Sequence, residues 1–196
     1  VILIGGAFFL FSRQMGGANK SMDFGKSKAK LSGEKNKVTF LSIGKPSIEY
    51  IIYPSKKGWE PQIVSVDSIS THLEWSKIGN QRISVHPEFS YLSHINDYFL
   101  NIHYTGDVGM AFINNDIVHD HFWYGEPWSI GLKRFRTELE KCGEINFYFR
   151  PLNKKAPFIS MGGIPISAFP KFDNQTNVLS IDKVELVPEY RIEVKW

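Results

Sequence analysis

The chain has 196 residues, of which 42% are hydrophobic and 22% are charged. This balance allows a buried core and excludes a disordered chain, a collagen and a coiled coil. The formal net charge of +3 is too small to indicate nucleic acid as a partner. Because Cys142 is the only cysteine, an intrachain disulfide and a cysteine-based zinc site are excluded, and the sequence fits a reducing, cytoplasmic compartment.

Charge divides the sequence into two parts near Phe40. Residues 1–40 contain seven basic and two acidic side chains, which give a net charge of +5. Residues 41–196 contain 16 basic and 18 acidic side chains, which give a net charge of −2. We therefore expect a membrane-exit segment and flexible basic linker over 1–40, and a folded domain over 41–196. Residues 12–40 contain little that a core would bury, so this linker is expected to be mobile.

The first part begins with an apolar run from Val1 to Phe11. A helix of this length rises about 16 Å, roughly half of a hydrocarbon core of about 30 Å, so the run does not span a bilayer alone. Because basic residues follow it, the run matches the end of a truncated span that leaves the membrane on the cytoplasmic side. The alternative is an apolar helix or strand packed on the domain.

The segment after this run resembles a known family. SRQMGGANKSMDFGKSKAKL at 12–31 and KVTF at 37–40 resemble the stretch of FtsH-type ATP-dependent zinc metalloproteases that joins their second transmembrane helix to the ATPase domain. The resemblance stops at Leu41, where the family continues into its ATPase. Gly25-Lys26-Ser27 is not a phosphate-binding loop, because Lys20 stands where the first glycine is needed. The chain also contains no H-E-x-x-H zinc motif.

The second part alternates short apolar runs with turn residues, which predicts an all-β, jelly-roll-like sandwich with one short helix. Asn114-Asn115 between two apolar runs predicts a tight hairpin, because asparagine tolerates positive φ. KRFRTELEKC at 133–142 followed by Gly143 predicts the helix and its end. The predicted strands are residues 47–53, 62–67, 82–86, 98–104, 110–113, 117–122, 128–132, 144–150, 178–187 and 190–196.

A second resemblance covers Leu100 to Phe135, LNIHYTGDVGMAFINNDIVHDHFWYGEPWSIGLKRF. This run resembles the galactose-binding-like jelly-roll domain at the C-terminal end of family 35 β-galactosidases, and we extend the resemblance over residues 41–196. In that family two glutamates on a separate (β/α)-barrel cleave the sugar, and that barrel has no counterpart in this sequence. The resemblance therefore implies a non-catalytic accessory domain without a cofactor. Such a domain would pack on a catalytic barrel or on a second copy of the chain, and it could also contact galactosides.

Two residue clusters are candidates for binding. Trp123, Tyr124 and Trp128 have the ring faces on which a sugar stacks, although each is equally a candidate for the core. His119 and His121 point to the same side of a strand, the spacing of two metal ligands, but no third ligand is evident, so we predict no metal site.

The sequence leaves other functions open. The β-domain is alternatively a free-standing, membrane-proximal carbohydrate-binding module, or an unrelated insertion in a fragment of a protease-type protein. A natural fusion at Phe40 and a recombination event both explain the composite chain.

Overall fold

Antiparallel strands joined by short turns account for most of the chain that can be described. The structure, a computed structural model, describes residues 27–31, 37–50, 61–160 and 164–195. The apolar run at 1–11, residues 12–26 of the predicted linker and Trp196 lie outside the described residues. The strands are β1 (Ser27–Leu31), β2 (Lys37–Ile43), β3 (Ser47–Tyr50), β4 (Gln62–Ser65), β5 (Leu73–Gly79), β6 (Arg82–Pro87), β7 (Ile95–Thr105), β8 (Val108–Ile113), β9 (Asp116–Phe122), β10 (Trp128–Gly131), β11 (Ile145–Arg150), β12 (Leu152–Asn153), β13 (Asn177–Val178) and β14 (Ser180–Lys195).

Helical structure in the described ranges is short. Helix α1 (Arg136–Cys142) follows directly on a 3-10 turn (Lys133–Phe135), which confirms the predicted helix. It ends at Gly143, whose φ of 72° lies in the left-handed region and whose N–H donates to the Leu139 carbonyl at 2.8 Å. A single turn, α2 (Pro157–Ser160), and a 3-10 turn (Ile166–Ala168) follow later in the chain.

The described residues divide into two compact units. The first unit contains the chain up to Ile69 together with residues 91–96 and 188–196, and the second contains residues 70–90 and 97–187. The long strand β14 therefore contributes its two halves to different units. The boundary that charge predicts at Phe40 falls inside β2.

The first unit contains a sheet in the order β1-β2-β14 and the hairpin β3-β4. Residues 27–31 and 37–40, assigned to a flexible linker on the basis of charge, are paired strands. In β14 the side chains of Tyr190, Ile192 and Val194 are buried and those between them are exposed, which confirms the predicted alternation. The predicted break before Tyr190 is absent, because β14 continues through it. Backbone pairing with β2 begins at Glu189, so Pro188, which has no N–H group, does not need to donate a hydrogen bond to β2.

The second unit is a β-sandwich, which confirms the predicted fold class. One sheet has the order β5-β6-β11-β8-β9, and the other contains β7 between β10 and residues 180–187 of β14. The predicted hairpin is confirmed, since Asn114 and Asn115 have φ of 51° and 69° between β8 and β9. Strand β5 lies at the other edge of the five-stranded sheet and is not among the predicted strands.

Aromatic rings fill the space between the two sheets of this unit. The Trp128 indole of β10 meets Phe147 and Phe149 of β11 edge-on, with ring centroids 5.5 and 6.3 Å apart. The Tyr104 ring of β7 lies 4.8 Å from Phe149. Both phenylalanines and Trp128 are at most 1% exposed, so each contributes about 1.5–3 kcal/mol or more through burial.

Gly109 of β8 makes room for the indole. A Cβ built on Gly109 would lie 2.6 Å from Cζ3 of Trp128, closer than any real carbon contact. We predict that Gly109→Ala lowers the free energy of unfolding by about 1–3 kcal/mol, because the rigid ring must shift. Gly79→Ala is the matched control, since a Cβ there meets nothing within 4 Å. Urea denaturation of both variants measures the difference, and equal stabilities would show that the ring has freedom to move.

Candidate functional site

An open cavity lies at the edge of the second unit where the two sheets come together. Strand β9 is the last strand of one sheet and β10 the last strand of the other. The cavity has a volume of about 480 Å³ and is lined by Asp97, His119, Gly131, Lys133 and Arg134. These residues come from the start of β7, the middle of β9, the end of β10 and the 3-10 turn that follows it.

Asp97 fixes the start of the 3-10 turn. Its Oδ1 atom accepts hydrogen bonds from the backbone N–H groups of Tyr98 and Lys133, both at 2.7 Å. The neighbouring Leu132 N–H donates to the Tyr98 carbonyl at 2.9 Å. Burial raises the pKa of the Asp97 carboxyl, although these amides and the Lys133 charge oppose the shift. The carboxylate thus holds the cavity wall in place.

Gly131 packs its backbone close to this carboxylate. A Cβ at Gly131 would lie 3.0 Å from Asp97 Oδ2, so any larger residue would crowd that oxygen. The same position also lies 3.5 Å from Cε1 of the Phe99 ring, so Asp97 Oδ2 and this ring both border the backbone of Gly131. Such an oxygen accepts hydrogen bonds from ligand hydroxyl groups.

Two cations line the same cavity as the Asp97 carboxylate. Lys133 and Arg134 are both exposed, and the Arg134 guanidinium carbon lies 4.5 Å from the centre of the Phe135 ring. Stacking on a ring limits the orientations of the guanidinium plane. The cavity therefore combines one anionic acceptor with two cationic donors.

His119 connects the cavity to the core. Its Nδ1 atom lies 3.3 Å from Trp128 Nε1 and 2.8 Å from the Asp120 carbonyl. The indole N–H requires Nδ1 as an acceptor, whereas the carbonyl requires it as a donor, so the tautomer of His119 decides which bond forms. A ligand in the cavity that bonds His119 therefore changes the surroundings of the Trp128 indole.

His121 lies on the same side of β9, behind His119. Its ring stacks on the Trp128 indole with centroids 5.5 Å apart and planes within 10°, and its Nδ1 atom is 2.8 Å from the Tyr104 hydroxyl. Burial lowers the pKa of His121, with a smaller contribution from His119. Burial raises the pKa of Tyr104, so this hydroxyl stays protonated. The prediction that both histidines share one side of the strand is confirmed by their contacts with Trp128.

The three aromatic residues predicted for sugar contact have different positions. Trp128 is 1% exposed and Trp123 is 5% exposed. A sugar ring cannot stack on either indole, because both are buried. They occupy the core, the alternative that the sequence left open. Tyr124 is 50% exposed and is the only one of the three whose side chain is accessible to solvent.

The remaining cavity residues were missed by the sequence analysis. Lys133 and Arg134 stand in the run that carries the galactosidase resemblance, but nothing marked them as binding residues. Asp97 and Gly131 are 34 residues apart in sequence, and only the pairing of Gly131 with Phe99 brings them together. Among the described residues no group of three or more histidine, cysteine or acidic side chains could hold a metal ion.

Comparisons with known proteins identify one short similarity. The ATP-dependent zinc metalloprotease FtsH of Halothermothrix orenii is 50% identical over 43 residues, which are 22% of this chain and 7% of that protease. This supports the resemblance to the protease linker, and the chain spans less than a tenth of that relative's length. No protein-family model and no solved structure matches the chain, so the galactosidase resemblance remains a prediction.

A search for membrane spans within the described ranges identifies no helix that is both long and apolar enough to cross a bilayer. The apolar run at 1–11 lies outside those ranges, and its membrane contact remains a prediction.

Protonation of His121 is expected to destabilise the fold. In the folded protein burial holds the pKa of His121 below the ordinary histidine value of 6.5, so the unfolded chain binds protons more readily. Stability is therefore complete above about pH 6.5 and falls as the pH drops through that value toward the lowered pKa. We predict that Trp128 fluorescence is quenched at the lower end of this range, where His121 becomes protonated in the folded protein. In thermal unfolding, the His121→Gln variant should lose less stability than the wild type when the pH falls from 7 to 5. His72→Gln is the control, because it removes an exposed imidazole and should lose as much stability as the wild type.

Proposed function

We propose that the second unit is a non-catalytic accessory domain that packs one face of its five-stranded sheet against a catalytic barrel. The observation that carries this proposal is an apolar outer surface on β8 and β9. In β8, Gly109 and Ala111 face the core, so Met110 and Phe112 point to the outside of the sandwich. The outer faces of antiparallel sheets normally carry polar side chains.

Cross-strand register extends this surface. Phe112 lies opposite Ile117 of β9, and Met110 lies opposite Tyr148 of β11. Ile117 is 64% exposed and Phe122, at the end of β9, is 70% exposed. We name these five side chains the outer apolar face. Two polar residues share this side of the sheet, because Asp120 of β9 lies opposite Met110 and Asn146 of β11 lies opposite Phe112. Exposed apolar side chains grouped on one sheet face and bordered by polar residues are typical of protein contacts.

The proposal predicts that this face makes the isolated chain associate. The double variant Ile117→Lys, Phe122→Ser should bind less of a hydrophobic dye and sediment as a smaller species, because it removes the most exposed members of the face. Ile63→Lys is the matched control: Ile63 is 73% exposed but lies in β4 opposite Glu49. Thermal stability of the double variant should stay within about 1 kcal/mol of the wild type.

The result separates the possible partners. Concentration-dependent oligomers without a fixed size, abolished in the double variant, support a face that belongs against another domain. A discrete dimer would identify a second copy as the partner instead of a barrel. Unchanged dye binding and sedimentation in the double variant would contradict the packing role.

A second candidate function, carbohydrate binding, is supported by the cavity. Sugar hydroxyls both donate and accept hydrogen bonds, and the Asp97 carboxylate beside Lys133 and Arg134 offers both kinds of partner. Tyr124, on the turn after β9, is half exposed. The domain would then act as a binding module for galactosides, and contact with a sugar is compatible with the packing role.

Titration with galactose and lactose tests this candidate. We expect saturable quenching of tryptophan fluorescence, because His119 bonds Trp128 and also lines the cavity. A chromogenic β-galactoside in the same sample should not be cleaved. Asp97→Asn should weaken the sugar binding by about tenfold, the effect of weakening one charged hydrogen bond, and Asp182→Asn, an exposed aspartate of β14, should not. If no quenching is observed, the carbohydrate-binding function is rejected and packing remains as the proposed function. Cleavage of the chromogenic β-galactoside would overturn the assignment of the domain as non-catalytic.

A further inference from the structure

We infer that β9 is an acid-releasable strand: protonation of His121 detaches it from the second unit while the other strands of the sandwich stay paired. The release follows from contacts inside the second unit. Only its consequence for a partner rests on the proposed packing role.

Backbone pairing holds β9 on one side only. It is the last strand of its sheet and pairs with β8 alone among the described residues. A register shift between Ala111 and Phe112 interrupts even this ladder. Edge segments with few backbone bonds open at a lower free energy than the strands in the middle of a sheet. The attachment of β9 therefore depends on its inward side chains.

The inward side chains of β9 differ from the rest of the core. The inward positions of the neighbouring strands are apolar and buried, as at Ile83, Val85, Ala111, Ile113, Phe147 and Phe149. Strand β9 instead turns His119 and His121 inward, opposite Ala111 and Gly109. Histidine is the side chain that ordinarily gains a charge between about pH 5 and 8. Two imidazoles thus occupy positions at which apolar side chains would hold an edge strand at every pH.

A neutral imidazole at His121 suits its surroundings better than a charged one. The ring stacks on Trp128, and its Nδ1 atom lies 2.8 Å from the Tyr104 hydroxyl. This hydroxyl can change from donor to acceptor, so protonation costs solvation of the charge rather than a hydrogen bond. Although the face of an indole attracts a cation, burial lowers the pKa of His121. The contacts of the attached strand therefore favour the neutral ring.

Nearby charges do not neutralise an imidazolium at His121. The titratable side chains around it are Tyr104, Tyr124, His119, Asp120 and Asp107. Asp120 opposes the lowered pKa of His121, but it lies opposite Met110 on the outer side of β9. The Asp107 carboxylate, which acts on Tyr104, is bound by Arg150 Nη2 at 2.6 Å. Within the described ranges, the core side of β9 thus offers no unpaired carboxylate to His121.

His119 adds to the repulsion. Its charge lowers the pKa of His121 further, and its side chain lines the cavity together with Asp97, Lys133 and Arg134. The pKa of the Asp97 carboxyl responds to burial, to the neighbouring N–H groups and to Lys133. Because the Asp97 charge is engaged by these groups, a proton on His119 gains little from it and also favours the detached strand.

Release of β9 would take the outer apolar face apart. Ile117 and Phe122 belong to β9, whereas Met110 and Phe112 belong to β8. Because the pKa of His121 is lowered in the attached strand, attachment is complete above about pH 6.5 and weakens as the pH falls below that value. A partner packed across both strands would therefore lose part of its contact in acid.

Hydrogen exchange of the full chain at pH 7 and pH 5, corrected for intrinsic exchange rates and followed by mass spectrometry, tests the release. We expect the amides of β9 to lose about tenfold in protection at pH 5, which is the effect that one histidine with a lowered pKa supplies over this interval. The amides of β7 and β11, which pair with a strand on each side, should keep their protection.

Two variants assign the effect to His121. His121→Gln and His121→Phe both remove the titratable ring, and the phenylalanine restores an apolar ring against Trp128 if the glutamine weakens the fold. Protection of β9 in these variants should be the same at pH 7 and pH 5. His72→Gln is the matched control, because it removes an exposed imidazole next to β5, the other edge strand of this sheet, and should release β9 as the wild type does.

Loss of protection that is confined to β9 and absent from the His121 variants would support the inference. Unchanged protection of β9 at pH 5, an equal loss in all strands, or a release that persists in the His121 variants would overturn it. The sedimentation test of the packing role is made at pH 7, where β9 is attached, so a failure of that role would leave this result unaffected.

Discussion

The contact between Trp128 and Gly109 is the constraint on which the second unit depends. The indole needs the volume that a side chain at residue 109 would fill, and it uses that volume to meet Phe147 and Phe149 of the facing sheet. The same ring stacks on His121 and donates toward His119. One buried side chain therefore joins the two sheets and also orients β9, so core packing and cavity geometry are mechanically linked.

Sequence patterns predicted the parts of this fold that depend on local chemistry. The Asn114-Asn115 hairpin and the α1 helix with its Gly143 end were correct because positive φ and helix termination are properties of single residues. Residues 37–40 of β2 were assigned to a linker because their neighbours are basic, although the pairing of residues 37–43 with β14 determines the structure of this strand. Such pairing joins segments about 150 residues apart and leaves little local signal.

The cavity was predictable to a smaller extent than the fold. Aromatic residues were candidates for sugar contact, but burial assigns Trp123 and Trp128 to the core and leaves Tyr124 at the surface. A tryptophan has the same sequence signal in either role, because large rings are needed in cores as well as in binding sites. Asp97 reaches the cavity through the ladder between β7 and β10, which no spacing rule relates to Lys133 or Arg134.

Strand β9 supplies both candidate surfaces from its two sides. His119 points to the cavity and the core, whereas Ile117 lies opposite Phe112 on the outer apolar face. The register shift between Ala111 and Phe112 places Val118 outside the regular pairs and permits both orientations within three residues. A protein packed on the outer apolar face would therefore cover one side of β9 and leave the cavity on the other side accessible. Packing and ligand binding are thus independent in space, although a partner that stiffens β9 would also restrict His119 and, through it, the shape of the cavity.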